Sequence, residues 1–298
     1  MFYKILKYFK LGSKIIIDFF LYIYVKNKFK FPKVHSVSKT LENILENNLS
    51  FARFGDGEFN LISEKSIGFQ DGNLNLSKRL QQVLTENQTH CLICIPKTIE
   101  NLNGLNFKSK IVWMHLIANF YKNYSKFLNS NSSYYNSLIT RPYMDLKNKS
   151  NSEKYFNLLK QIWENKNIVI VEGEHSKLGV GNDLFDSCLS IQRIITTNSN
   201  AFLLYDKIYN EVIKLEKNKL ILLALGPTAT VLAFDLSKIG YQVGDIGHVD
   251  LEYEWFLRSA INKISIKGKH INEISQIPTN NDLISNEYNS QIICKLLK

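Results

Sequence analysis

Two carboxylates, Asp56 and Glu58, stand two residues apart, each beside a glycine (Gly55 and Gly57), directly after the apolar run of Leu49, Phe51 and Ala52. If the backbone is extended there, residues i and i+2 share one face, so both carboxylates would converge on one hard cation. The two glycines would let a bulky anion approach the backbone. A divalent ion bridging carboxylates and a diphosphate is a common way to hold a nucleotide. Arg53 precedes the pair and would either swing to a phosphate or neutralise a carboxylate. Taken alone, such a triplet reads first as a charged turn.

Three later segments add chemistry. Residues 173–183 form a glycine-punctuated run that offers backbone N–H groups to an anion, with Glu174, Ser176, Lys177, Gly179, Gly181 and Asn182 as candidate contacts. Asn182 would also serve simply as a helix cap. Gly226, Pro227, Thr228 and Thr230 follow an apolar strand in a strand–turn–helix pattern without the lysine and serine/threonine of a Walker loop. Residues 247–255 gather His248, Asp250, Glu252 and Glu254, any of which has the chemistry of a general base. Tyr253 and Trp255 read as a sugar-stacking surface or as core. A late polar cluster, residues 267–273, supplies Glu273 as another base and reads otherwise as a solvated basic turn.

The segments Phe51-Ala-Arg-Phe-Gly-Asp-Gly-Glu58, Arg141-Pro142, 171–185, Leu225-Gly-Pro-Thr-Ala-Thr230 and 245–255 together resemble the bacterial GT-D type glycosyltransferases, formerly the domain of unknown function DUF1792. The resemblance covers roughly residues 35–277 and leaves out the first thirty or so. It implies a Rossmann-like fold and a metal-dependent UDP-hexose donor, glucose first and galactose second. It also implies Mn²⁺ or Mg²⁺ at Asp56 and Glu58, and inverting transfer to a saccharide acceptor on a glycoprotein or a lipid carrier.

The elements that must position these groups follow from the apolar pattern. Helices are expected over residues 38–46, 74–84, 111–127, 155–164, 183–189, 205–215 and 229–239. Strands are expected over 50–54, 90–95, 167–171, 193–196, 220–225 and 241–246. Residues 129–137, rich in asparagine and serine, read as a flexible surface loop or a lid. The alternation predicts an α/β fold, a mostly parallel sheet with helices on both faces. Ligands then bind beyond the carboxyl ends of the strands, where the marked loops would gather.

The chain of 298 residues is long enough for a buried core, and its net charge of +10 points to an acidic partner. No RNA-recognition signature or basic-aromatic array is present, so nucleic acid is disfavoured. Cys91 and Cys94 sit in an apolar strand and read as packed residues of a reducing cytoplasm. Residues 1–34 form a basic amphipathic segment, and residues 35–298 one domain. The apolar run 15–25 is too short to span a bilayer, and no small-residue cleavage site follows it. Lysines among aromatics over residues 1–30 suit a helix lying on the anionic inner face of the plasma membrane, or one packed on the domain or a partner. Two rival functions remain: a metal-dependent phosphoesterase using the same carboxylates, and a non-catalytic binder of nucleotide or anionic glycan.

Overall fold

The computed structural model describes residues 2–86, 89–269 and 286–297, with side chains from residue 12 onward. The chain runs α1 (Phe2–Lys28), β1 (Lys33–Val34), α2 (Val37–Asn47), β2 (Ser50–Arg53), α3 (Asp56–Ile62), α4 (Leu74–Thr85), β3 (Cys91–Ile95), α5 (Phe107–Tyr124), β4 (Ser133–Asn136) and α6 (Ser152–Trp163). It continues through β5 (Asn167–Gly173), β6 (Ser190–Thr196), α7 (Tyr205–Val212), β7 (Leu220–Ala224), α8 (Pro227–Lys238), β8 (Gln242–Asp245), α9 (Val249–Leu257), α10 (Asn286–Gln291) and β9 (Ile292–Leu296).

The strands form one sheet in the order β1-β4-β3-β2-β8-β7-β5-β6-β9, and every pairing is parallel. A parallel sheet buries both faces, and the central strands show it. In β5 and β7, Val169, Val171, Ile221 and Leu223 enter one core cluster with α4, α7 and α8, while Ile168, Ile170, Leu220 and Leu222 enter the other with α2, α6 and α9. The period of two sends alternate side chains to opposite helical layers, which is the doubly wound arrangement the alternation predicted.

Local signals mostly placed the elements. Ser36, rather than Ser38, caps α2 by accepting the Lys39 N–H. Three expectations need correction. Residues 129–137 are not merely a loop: Ser133–Asn136 is β4, paired with β1 and β3 and holding Tyr134 in the core. Aromatic strand residues outweigh the surrounding asparagines there. Residues 183–189 form turns instead of a helix, because side chains claim that backbone: Trp163 Nε1 donates to Leu184 O at 2.8 Å, and Asn182 Oδ1 accepts from Leu184 N. The residues after β2 are not extended, since α3 begins at Asp56.

Cys91 and Cys94 lie buried in β3, where burial raises both thiols, Cys91 to about 12.

Candidate active site

The loops after β2, β5, β7 and β8, with the one after β6, meet at the carboxyl edge of the sheet around a cavity of about 970 Å³. The edge lies where β2 of the first half abuts β8 of the second, the topological switch point at which such sheets bind ligands. Arg53, Gly55, Asp56, Gly57, Glu58, Gly173, Ser176, Gly226, His248 and Asp250 all line it.

Asp56 is exposed in the first turn of α3. Helical residues i and i+2 lie about 200° apart, so the shared-face argument for Asp56 and Glu58 fails. Glu58 instead folds back as a capping residue: its Oε2 accepts the Gly55 N–H at 2.7 Å. Burial, then the nearby Asp245 charge, pushes the Glu58 carboxyl up to about 7. Such crowding of negative charge is what a bound cation would relieve.

The donor set fits a hard divalent ion, because it offers carboxylate oxygens and no thiol or imidazole cage. Among the described residues, no group of three or more His, Cys, Asp or Glu could hold a metal by itself. Asp56 and Glu58 would therefore hold it jointly with ligand oxygens and water.

Arg53 takes the neutralising role. Its Nη2 meets Asp245 Oδ1 at 2.7 Å and its Nε donates to Asp245 O at 2.5 Å, across the β2–β8 pair. Thr230 is buried and donates to Arg53 O, and Thr228 is fully buried off the cavity wall. Both therefore correct the expectation of phosphate contact: their position in the first turns of α8 faces them into the core. What reaches the cavity is Gly226, ahead of Pro227 at N1. Its φ is +55°, and a Cβ at this position would lie 2.5 Å from Phe69 Cε2, so the backbone leaves room for glycine alone.

The glycine loop is tied down by α9 rather than opened to a ligand. Asp250 Oδ1 accepts from Gly179 N at 2.9 Å and Asn182 Nδ2 at 2.8 Å, and Asn182 also donates to Glu254 Oε1. Gly181, Asn182, Glu174 and Lys177 are off the cavity wall, Glu174 exposed and Lys177 buried. Of the expected contacts in this loop Ser176 alone lines the cavity, joined there by Gly173.

The acidic cluster of α9 is mostly spoken for. Lys269, expected in a solvated turn, is buried and donates to Asp250 (2.7 and 2.9 Å) and Glu254 (3.1 Å). Arg258 pairs with Glu254 at 2.9 Å. Glu252 is fully buried off the cavity, its Oε2 accepting from Tyr143 N and Met144 N, and burial pushes its carboxyl up to about 7. Glu252 and Glu254 thus hold helices together and do not face a substrate. Tyr253 and Trp255 are buried, with Trp255 Nε1 bonded to Ile264 O, so they pack rather than stack on a ligand. His248 occupies the N-cap position of α9, without a side-chain capping bond, at the cavity wall. Glu273 lies outside the described residues.

Several wall residues carried no signal in the sequence. Asp145, held by Ser109 Oγ at 2.9 Å and facing Arg141 at 3.6 Å, lines the cavity beside Trp113 and Lys149. Asn198 and Asn200 follow β6, and Asn198 Oδ1 accepts from His175 N. Only the Arg-Pro pair at 141–142 pointed toward this wall.

A parallel doubly wound sheet with a cavity at its switch point defines the class of α/β proteins that bind ligands beyond the carboxyl ends of their strands. The sequence model of the "Glycosyltransferase GT-D fold" family matches residues 51–274, so the chain belongs to the GT-D glycosyltransferase family. It is 37% identical over 267 residues to "Glycosyltransferase GlyD" of Streptococcus pneumoniae serotype 4 (strain TIGR4), covering 89% of this chain and 33% of that protein. It is 38% identical to "Probable glycosyl transferase Gly" of Streptococcus gordonii, covering 88% and 39%. The chain thus spans about a third of the length of these curated relatives. A solved structure described as domain of unknown function 1792 with a distinct glycosyltransferase fold superposes with a TM-score of 0.85 at 39% identity, covering 93% of this chain and all of that one. Another, described as a new glycosyltransferase (DUF1792) from Streptococcus sanguinis, gives 0.84 at 38% identity, covering 89% and 99%.

Proposed function

We propose that this protein transfers a hexose from a UDP-sugar to a saccharide acceptor, with a divalent cation at Asp56 and Glu58. The observation that carries the reading is that both carboxylates and Gly226, the residue ahead of α8, line the one cavity at the switch point of the sheet. Mn²⁺ or Mg²⁺ bound there would offset charge on the departing diphosphate. Gly226 lets a phosphate approach the backbone at the N-terminal end of α8. Arg53, locked on Asp245, fixes β2 against β8 so that Asp56 and His248 face one space.

The acceptor hydroxyl oxygen forms the new bond to the anomeric carbon. The bond from that carbon to the phosphate oxygen breaks, its electron pair leaving with UDP, and the hydroxyl proton passes to a base. In-line displacement of this kind inverts the anomeric centre. His248, already a base candidate, and Asp145, a new one, line the cavity outside the Lys269 ion pair that holds Asp250 and Glu254. UDP-glucose is the first donor to try and UDP-galactose the second. A glycan on a glycoprotein or lipid carrier is the acceptor class.

The test is UDP release from a panel of UDP-sugars with Mn²⁺, with and without EDTA. Wild type should release UDP from one sugar, EDTA should stop it, and Asp56→Ala/Glu58→Ala should lower it at least about a hundredfold. Tight UDP binding without release, with or without any acceptor glycan, would favour a binding module. Release of phosphate from phosphomonoesters instead would favour the phosphoesterase.

A further inference from the structure

We propose that the outward face of α1 seats this protein on an anionic lipid surface. The helix has two unlike sides. Asp18 is buried, accepting from Asn119 Nδ2 at 2.9 Å and hydrogen-bonded with His115 Nδ1 at 2.8 Å, both on α5, and Val25 is buried two turns on, with Tyr22 packed between them. At 100° per residue, Ile16, Phe20, Ile23 and Tyr24 lie on the opposite side. They are open to solvent: Ile16 at 58%, Phe20 at 65% and Tyr24 at 54%. Aromatic and branched side chains exposed along a helix cost free energy unless something covers them.

Charge selects the cover. Asp18 is the sole carboxylate of α1, and it is turned inward onto α5, so the outward face carries no negative charge. Lys14 stands before the apolar stretch and Lys28 after it, with Lys28 donating to Tyr24 Oη at 2.7 Å, while Lys26 turns inward and donates to Glu100 O at 2.6 Å. Lys14 and Lys28 are exposed. A second copy of this chain would bring further lysines and no counter-charge to such a face. An anionic leaflet supplies the counter-charge and accepts the apolar side chains at the depth of its headgroups. The helix lies on the surface: no helix among the described residues is long and apolar enough to cross a membrane.

The same geometry links lipid to cavity. α5 grips α1 through His115 and Asn119, while its Ser109, Trp113 and Leu116 line the cavity. The cavity wall bearing Asp145 therefore stands one helix away from the lipid. Taken with the transferase reading above, on which this one consequence rests, that placement favours a lipid-borne saccharide as acceptor; the docking itself does not depend on that reading.

The experiment is co-sedimentation of the full chain with phosphatidylcholine vesicles, with and without phosphatidylglycerol, at low and high salt. Binding should require phosphatidylglycerol and weaken with salt. Phe20→Glu, which removes an aromatic anchor and adds a like charge, should lower the partition coefficient at least about tenfold. Should Phe20→Glu unfold, Lys14→Glu/Lys28→Glu should lower it by about fivefold per lysine or more. Wild type left in the supernatant, equal binding to neutral vesicles, or charge-reversed variants that bind like wild type would each overturn the proposal. So would a wild-type dimer in sedimentation velocity that Phe20→Glu converts to monomer without any lipid effect, which would make this face a protein interface.

Discussion

Replacing Lys269 by methionine should expose how the site is held together. The lysine is buried against Asp250 and Glu254, also buried, and makes three hydrogen bonds of 2.7–3.1 Å with them. Removing one partner of a buried ion pair costs about 3–5 kcal/mol, because the charge left behind has lost both water and its counter-ion. Here Glu254 keeps Arg258, and Asp250 keeps the Gly179 and Asn182 donors, so the lower end, about 3 kcal/mol, is expected. Equilibrium urea unfolding at neutral pH would measure it. The double variant Lys269→Met/Asp250→Asn, which leaves no stranded charge on Asp250, should recover most of the loss. Function should follow stability, since Asp250 ties the loop after β5 to α9 at the cavity wall: the KM for donor should rise in the single variant more than kcat falls. A Lys269→Met protein within about 1 kcal/mol of wild type would refute the view that this triad is a closed, desolvated unit.

Glu252 supplies a pH dependence. Its usual value of 4.5 is raised to about 7 in the folded chain by burial, so the native state holds a proton over that window that the unfolded state has released. Its contribution is fully present below about 4.5 and lost as pH rises through about 7, a difference of about 3 kcal/mol. Glu252→Gln, which mimics the neutral form, should flatten unfolding free energy across that window and be the more stable protein above it; an unchanged slope would argue against a protonated Glu252. Gly226→Ala should lower donor turnover at least about tenfold in the UDP-release assay, because a Cβ at φ +55° meets Phe69 and fills the approach to α8. Wild-type turnover in that variant would remove Gly226 from the donor site.

Much of the scaffold was legible from local patterns. The short apolar runs of β5 and β7, bounded by turn residues, fit strands buried on both faces, and their alternation with amphipathic helices named the parallel sheet. The site's general location followed, because ligands collect at one edge of such a sheet. Residues whose roles depend on distant partners were not legible. Lys269 looks solvated in a run with Lys267 and Gly268, and its burial comes from two carboxylates fifteen and nineteen residues earlier on α9. Asp145 sits in an unremarkable loop and joins the wall only because Ser109 of α5 reaches it. Thr228 and Thr230 match a phosphate-binding pattern, yet α8 packs them inward.

The parallel α/β framework, the loops that meet at its carboxyl edge and the Asp56-Gly57-Glu58 triplet are all written in neighbouring residues. Tertiary structure decided which groups keep their charge for a ligand. Arg53 is committed to Asp245, Lys269 to α9 and Asp18 to α5, and those commitments follow from contacts between elements far apart in the chain. A side chain's type sets what chemistry it can perform, but burial and partnering set whether it is free to perform it, and these arise only when the layers close.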